Sequence, residues 1–173
     1  MMRTRVALPV ASVLMSSLVL AACGSGSGAS GVAPPRTITG APATIGAAKT
    51  SLGRVLVDTR ARTVYLFKGD IGTRSACSGA CARSWPPLFA HGRPSIGSGA
   101  NASLIGSVRR SDGTLQVTYN GHPLYRFAQD HKPGDVAGQG LTAFGAQWFA
   151  VSGAGNQLTG SPPSSGGSGP AGY

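Results

Sequence analysis

The 173-residue chain is poor in acidic groups and lacks the common catalytic motifs. It has no glutamate and only five aspartates, which removes most pairings of a general acid with a general base. It also has no Gly-x-Ser-x-Gly, phosphate-loop or His-Glu-x-x-His motif. The sequence therefore predicts a protein that is not an enzyme, with no catalytic residue and no cofactor.

Long hydrophobic runs are also missing, apart from one near the N-terminus. Residues 6–20 are almost wholly apolar and follow a short basic segment that contains Arg3 and Arg5. This run is shorter than the roughly 20 residues that a membrane-spanning helix needs. A basic head, a short apolar core and the small residues Ala21 and Ala22 predict a signal peptide over residues 1–22.

The four residues that end this segment, Leu20-Ala21-Ala22-Cys23, resemble the lipobox of bacterial lipoproteins. The resemblance implies cleavage just before Cys23 and a diacylglycerol on its sulfur. At about 0.8 kcal/mol per buried methylene, two or three acyl chains give a lasting attachment. We therefore expect a protein anchored by lipid on Cys23 to the outer face of the bacterial cell membrane.

Basic residues outnumber acidic ones throughout the chain. The net charge is +10, and removing Arg3 and Arg5 leaves thirteen basic against five acidic residues, or +8. For an exported protein, anionic lipid headgroups or envelope polymers are the expected counterparts rather than nucleic acid. The basic residues are scattered, with only Arg109 and Arg110 adjacent, so the sequence indicates no particular protein partner.

The composition divides the mature chain into three parts. Residues 23–51 are rich in Gly, Ser, Ala, Pro and Thr and are interpreted as a lipid-anchored flexible tether. Residues 52–152 carry every Trp, Tyr and Phe except Tyr173 and are predicted to form the one folded domain. Residues 153–173 are rich in Gly, Ser and Pro and are predicted to be a disordered tail.

The domain contains an internal repeat, in which a Tyr-x-Phe-x-x-Asp motif returns after 60 residues. A β-rich run precedes each copy, and a loop and a tryptophan follow it. The repeated residues are Tyr65, Phe67, Asp70 and Trp85 in the first copy, and Tyr125, Phe127, Asp130 and Trp148 in the second. We predict a mainly β fold, an antiparallel domain of about six strands with a pseudo-twofold relation, and one short disulfide-pinned helical or loop segment.

The two copies differ in the turn before the motif. Asn120-Gly121 predicts a two-residue hairpin turn with positive φ angles in the second copy. Residues 58–62 contain no glycine, so we expect a longer loop in the first copy.

The repeated residues favour structural roles. Large aromatic side chains on paired strands usually pack in the core. Asp70 and Asp130 each follow a strand, where a carboxylate commonly accepts backbone N–H groups. An acid/base pair would need two different environments, whereas these two sites look alike.

Cys77 and Cys81 are the only cysteines after Cys23, and in an exported protein they are predicted to form a disulfide. A copper or zinc site formed with a distant histidine, or a thiol-redox pair, stays open as an alternative. His91, His122 and His131 are the available histidines, but no metal-ligand set is assigned.

Taken together, the two Tyr-x-Phe-x-x-Asp motifs, the Cys77-x-Gly79-x-Cys81 segment and Trp85-Pro86-Pro87 resemble the bacterial secreted-repeat lipoproteins. The resemblance implies an extracytoplasmic location and adds no reaction, since that family has no established function. Ala61 departs from it, because members usually carry glycine there.

The leading hypothesis is a non-enzymatic binding or structural module of unknown ligand. A hydrolase, the further alternative, would need an Asp and a His converging in one pocket.

Overall fold

The computed structural model describes residues 42–161, which form nine strands and one short helix. The strands are β1 Thr44–Thr50, β2 Gly53–Val57, β3 Tyr65–Phe67, β4 Ser95–Ile96, β5 Ile105–Arg109, β6 Leu115–Tyr119, β7 His122–Pro123, β8 Thr142–Ala143 and β9 Ala146–Ala150. The helix α1 is Ala80–Ser84, and a 3-10 turn covers Ala102–Leu104. The mainly β prediction is confirmed. The strand count exceeds six because β4, β7 and β8 have only two residues each, too few to show an alternating pattern.

The strands form three small sheets of three strands, ordered β2-β1-β4, β3-β9-β8 and β5-β6-β7. Neighbours are antiparallel except β1 and β4, which run parallel. Single bridges link the motif of the second copy to the first, through Tyr65 with Tyr125 and Pro87 with Tyr125. The first copy thus follows the order of strand, turn, strand, loop and tryptophan, whereas in the second copy the strand after the turn is the two-residue β7 and the motif itself contributes only the bridges at Tyr125.

The buried residues form two clusters. One is mainly aliphatic and centres on fully buried side chains such as Ile45, Leu56, Val64 and Leu124. The other is aromatic and contains both cysteines together with the aromatic motif residues. Tyr65, Leu66 and Phe67 are all buried, so β3 is covered on both faces.

The predicted tether needs a correction at its C-terminal end. Residues 44–50 form β1, which pairs with β2 at five positions and buries Ile45 completely. The segment is rich in small residues, and backbone hydrogen bonds hold it, so composition did not reveal a strand. The domain therefore begins before residue 52, and residues 23–41 lie outside the described residues.

The predicted tail is likewise ordered at its start. The N–H of Leu158 donates to the carbonyl of Ala150 at 2.9 Å, and Val151 bridges to Gln157. Residues 153–161 therefore return along β9 because its outer backbone groups offer hydrogen bonds. Residues 162–173 lie outside the described part of the chain.

Both turn predictions are confirmed, with one unexpected residue. Asn120 and Gly121 have φ angles of 48° and 77°, as a two-residue hairpin turn requires. The first copy uses a three-residue loop, in which Ala61 takes the left-handed φ of 56° that glycine usually adopts. The Asp58 carboxylate stabilises this loop by accepting the N–H groups of Arg60 and Arg62, at 2.8 and 3.0 Å.

Replacing Ala61 with glycine is expected to stabilise the domain. The left-handed conformation costs an alanine roughly 1–2 kcal/mol, and the greater freedom of glycine in the unfolded chain offsets about half of that. Ala61→Gly should therefore raise the free energy of unfolding by about 0.5–1 kcal/mol, measured by urea denaturation. A loss of stability would contradict the strained loop, and Ala128→Gly is a control outside the left-handed region.

Candidate functional site

Four aromatic rings form a continuous stack at the centre of the aromatic cluster. Phe67 stacks on Trp148 with ring centroids 4.1 Å apart, and Trp148 stacks on Trp85 at 3.9 Å. Trp85 in turn stacks on Phe127 at 4.2 Å. Each phenylalanine of a motif therefore contacts the tryptophan of the other copy.

The motif tyrosines meet this stack edge-on. Tyr65 contacts Trp85 at 5.4 Å and Tyr125 contacts Trp148 at 5.1 Å, each within its own copy. Gly138 lies against the first pair, where a Cβ atom would come within 2.9 Å of both rings. Only glycine fits at this position without moving the rings.

The hydroxyl groups of the two tyrosines cross between the copies. Tyr65 donates to Oδ2 of Asp130 at 2.5 Å, and Tyr125 donates to Oδ2 of Asp70 at 2.9 Å. The backbones of the two tyrosines also exchange hydrogen bonds, of 2.8 and 2.9 Å. The repeated tyrosine and aspartate are thus one reciprocal arrangement, which we call the crossed Tyr–Asp pairs.

The second oxygen of each aspartate accepts a backbone N–H. Oδ1 of Asp70 accepts from Ala76 at 2.8 Å, and Oδ1 of Asp130 accepts from Ala137 at 3.0 Å. Each carboxylate therefore accepts a backbone N–H, as expected, but it holds the loop that follows it and does not cap a helix.

Burial governs the ionisation of the crossed Tyr–Asp pairs. It raises the pKa of the Tyr65 and Tyr125 hydroxyls well above their ordinary range. Burial also raises the pKa of Asp70 and Asp130, although the hydrogen bonds that each carboxyl accepts lower it in part. Burial thus favours the neutral form of all four groups, while the tyrosine hydroxyl groups remain hydrogen-bond donors to the aspartates.

The disulfide loop lies beside the first of these aspartates. Cys77 and Cys81 are joined and buried, with Cα atoms 5.3 Å apart, and Cys81 lies in α1. The carbonyl of Cys81 accepts the N–H of Trp85 at 2.7 Å, so the loop fixes the start of the Trp-Pro-Pro segment. The predicted disulfide is thus present in the structure.

A buried arginine ties this loop to the second copy. Arg110 donates to Oγ of Ser75 at 2.7 Å, to Oε1 of Gln116 at 2.6 Å and to the carbonyl of Cys77 at 2.6 Å. Ser75 in turn bonds Tyr125, so the network reaches the crossed Tyr–Asp pairs. Sequence reasoning missed Arg110 and Gln116, because a charged and an amide side chain in strand-like segments give no signal of burial.

A shallow recess of 390 Å³ lies on the surface near Asp58. Arg60, His91 and Arg126 also line it, and Leu88 and Phe89 form part of its apolar wall. An Asp and a His thus line one recess, as the hydrolase interpretation required.

Both carboxylate oxygens of Asp58 already accept hydrogen bonds from neighbouring residues. Arg126 donates its Nε–H to Oδ2 at 2.6 Å, while Oδ1 accepts the two N–H groups of the Ala61 loop. Burial opposes the ionisation of Asp58, but these hydrogen bonds outweigh it and lower its pKa. A carboxylate held ionised in this way is a poor proton acceptor, whereas Arg126 and Arg60 give the recess a basic side.

Among residues 42–161, no three His, Cys, Asp or Glu side chains gather as a metal-ligand set. Nor is any helix in this part of the chain long and apolar enough to cross a membrane. The structure brings together all eight repeated residues and the two cysteines, while His131 lies exposed on the loop after Asp130.

Fold and site define a small disulfide-containing β domain built from two interlocked copies of one motif. The chain belongs to the Lipoprotein_15 family, described as a secreted repeat of unknown function, which matches residues 46–89 and 106–152. The two matched segments coincide with the two copies, and membership indicates an extracytoplasmic location. No curated protein and no solved structure matches the chain.

The crossed pairing predicts which residues are energetically coupled. Tyr65→Phe should cost about 1–3 kcal/mol, since it leaves the Asp130 carboxyl without its donor. In a double-mutant cycle, Tyr65→Phe should couple to Asp130→Asn by about 1 kcal/mol and should not couple measurably to Asp70→Asn. Urea denaturation at neutral pH measures both cycles. Coupling to the aspartate of the same copy would contradict the crossed arrangement.

The pKa shifts predict opposite pH dependence for two buried aspartates. The pKa of Asp130 is raised from 3.8, so its contribution to stability is complete below that value and declines as the pH rises through its folded pKa. The pKa of Asp58 is lowered from 3.8, so its contribution is present above that value and is lost as the pH falls.

Unfolding free energies measured from acid to neutral pH test this difference. The cost of Asp130→Asn should be larger in acid than at neutrality, and the cost of Asp58→Asn should be larger at neutrality than in acid. Parallel curves of unfolding free energy against pH for the two variants would contradict the opposite pKa shifts of Asp130 and Asp58.

Proposed function

We propose that this protein is a non-enzymatic binding or structural module, held at the outer face of the bacterial cell membrane by lipid on Cys23. The observation that carries this proposal is the Leu20-Ala21-Ala22-Cys23 segment after a short apolar run. Membership of a secreted-repeat lipoprotein family supports the extracytoplasmic side of the proposal.

The disulfide supports the same compartment. A bond between Cys77 and Cys81 persists in oxidising surroundings and is rare in the cytosol. Both sulfur-bearing residues are buried in the aromatic cluster, which favours a structural staple over a redox pair that must meet a partner.

A binding or structural role is favoured over catalysis by the state of the buried aspartates. Asp70 and Asp130 each use one oxygen to bind the tyrosine of the other copy and the second oxygen to accept a backbone N–H of their own loop. Asp58 is ion-paired with Arg126, and the exposed Arg60 adds a further positive charge beside the apolar wall of the recess. Such a surface is better suited to binding an anionic group of an envelope polymer than to proton transfer.

Replacing Cys23 tests the anchoring. Cys23→Ala should prevent lipid attachment, so an epitope-tagged chain should lose incorporation of a labelled fatty acid and move out of the detergent-extracted membrane fraction. Cys77→Ala should keep both properties, because the lipidated sulfur is untouched. Membrane retention and labelling that are unchanged in Cys23→Ala would refute the proposal.

A further inference from the structure

Three large apolar side chains stand out from the surface of the described residues. Ile71 is 76% exposed, Phe144 is 49% exposed and Leu141 is 40% exposed. Single exposed apolar residues are ordinary, so their arrangement decides whether they matter.

Two of them lie at one end of the same strand pair. Phe67, at the end of β3, pairs with Trp148 in β9, and the N–H of Lys68 continues the ladder to the carbonyl of Gln147. The loop that follows β3 and the turn that precedes β9 therefore extend from the same end. Ile71 lies in that loop and Phe144 in that turn.

Phe144 occupies a backbone position that phenylalanine rarely adopts. It is the first residue of the two-residue turn between β8 and β9, with φ 56°, followed by Gly145 with φ 87°. The matching turn of the β6–β7 hairpin has Asn120 at this position, and asparagine tolerates a positive φ. A phenyl ring gains no hydrogen bond there, and half of its surface stays in contact with solvent.

Strain at an exposed aromatic residue points to a function outside the fold, since packing does not account for it. Basic groups accompany the apolar ones. Arg74 exchanges backbone hydrogen bonds with Ile71, and Lys68 is exposed one residue after β3. The carboxylate of this loop, Asp70, is turned inward to Tyr125 and Ala76.

We infer that this end of the domain docks on an anionic lipid surface, with Phe144 and Ile71 entering the headgroup region and Lys68 and Arg74 meeting lipid phosphates. We call these four residues the apolar tip. Apolar and aromatic side chains flanked by basic ones are the pattern of interfacial membrane contact. The assignment deepens the proposed lipid anchoring and rests on it for its location in the cell.

Because the lipid on Cys23 would already hold the domain near the membrane, a weak contact by the apolar tip is enough to keep it there. Residues 24–43 separate Cys23 from β1, and a chain of that length spans at most about 70 Å. A domain tethered so near a membrane meets it at a high effective concentration, so a tip of four side chains can hold it there.

Vesicle binding by the unlipidated protein tests the tip. The purified chain from residue 23 onward, with Cys23→Ser, is sedimented with vesicles of phosphatidylcholine alone and with vesicles that also contain phosphatidylglycerol. We expect binding to the anionic vesicles, a loss of about tenfold in partitioning for Phe144→Asn, and a similar loss for Lys68→Gln combined with Arg74→Gln. Arg54→Gln combined with Arg93→Gln removes two charges from exposed arginines outside the tip, is the matched control and should bind as the parent does.

Phe144→Asn also separates a surface role from a structural one. It creates Asn-Gly, the sequence of the β6–β7 turn, so its melting temperature should equal or exceed that of the parent while its vesicle binding falls. Absence of binding to anionic vesicles, unchanged binding of Phe144→Asn, or a lowered melting temperature would each overturn the assignment. Because this protein carries no lipid, these outcomes are independent of the fractionation of Cys23→Ala.

Discussion

Buried tyrosine hydroxyl groups must find acceptors, and here each finds its acceptor in the other copy of the repeat. Tyr65 reaches Asp130 and Tyr125 reaches Asp70, while the ring stack alternates between the copies in the same way. One copy alone would leave its aromatic face, tyrosine hydroxyl and aspartate exposed to water, whereas in the domain these groups are buried, and losing either partner of a crossed pair costs about 1–3 kcal/mol. The two copies therefore stabilise each other as one cooperative unit.

The two halves of this arrangement are supported by different means. In the first copy, the residue after Ala76 is Cys77, whose disulfide and carbonyl connect the loop to α1 and Arg110. In the second copy, the residue after Ala137 is Gly138, which packs directly against Tyr65 and Trp85. The aspartate fixes the loop by the same hydrogen bonds in both copies. The further support can therefore differ, and it is a disulfide in the first copy and close packing in the second.

Most buried polar groups have hydrogen-bond partners, whereas the strained, left-handed backbone positions lie at or near the surface. The left-handed Ala61 is held by the carboxylate of Asp58, and Asn120 bonds the carbonyl of Gly155. Phe144 has no such compensation and is exposed. This contrast directs attention to the outer end of the β3–β9 pair, away from the buried centre that the repeated motif first suggested.

The sequence by itself determined the mainly β class, the two copies, the disulfide partners and the Asn120–Gly121 turn, because periodicity, paired cysteines and turn chemistry are local signals. Tertiary structure alone decided the crossing of Tyr65 and Tyr125, the burial of Arg110, the strand formed by residues 44–50 and the position of Phe144. Each of these depends on which segments meet in space. The repeated tyrosine and aspartate are five residues apart in the chain, so nothing in either motif reveals that its partner belongs to the other copy.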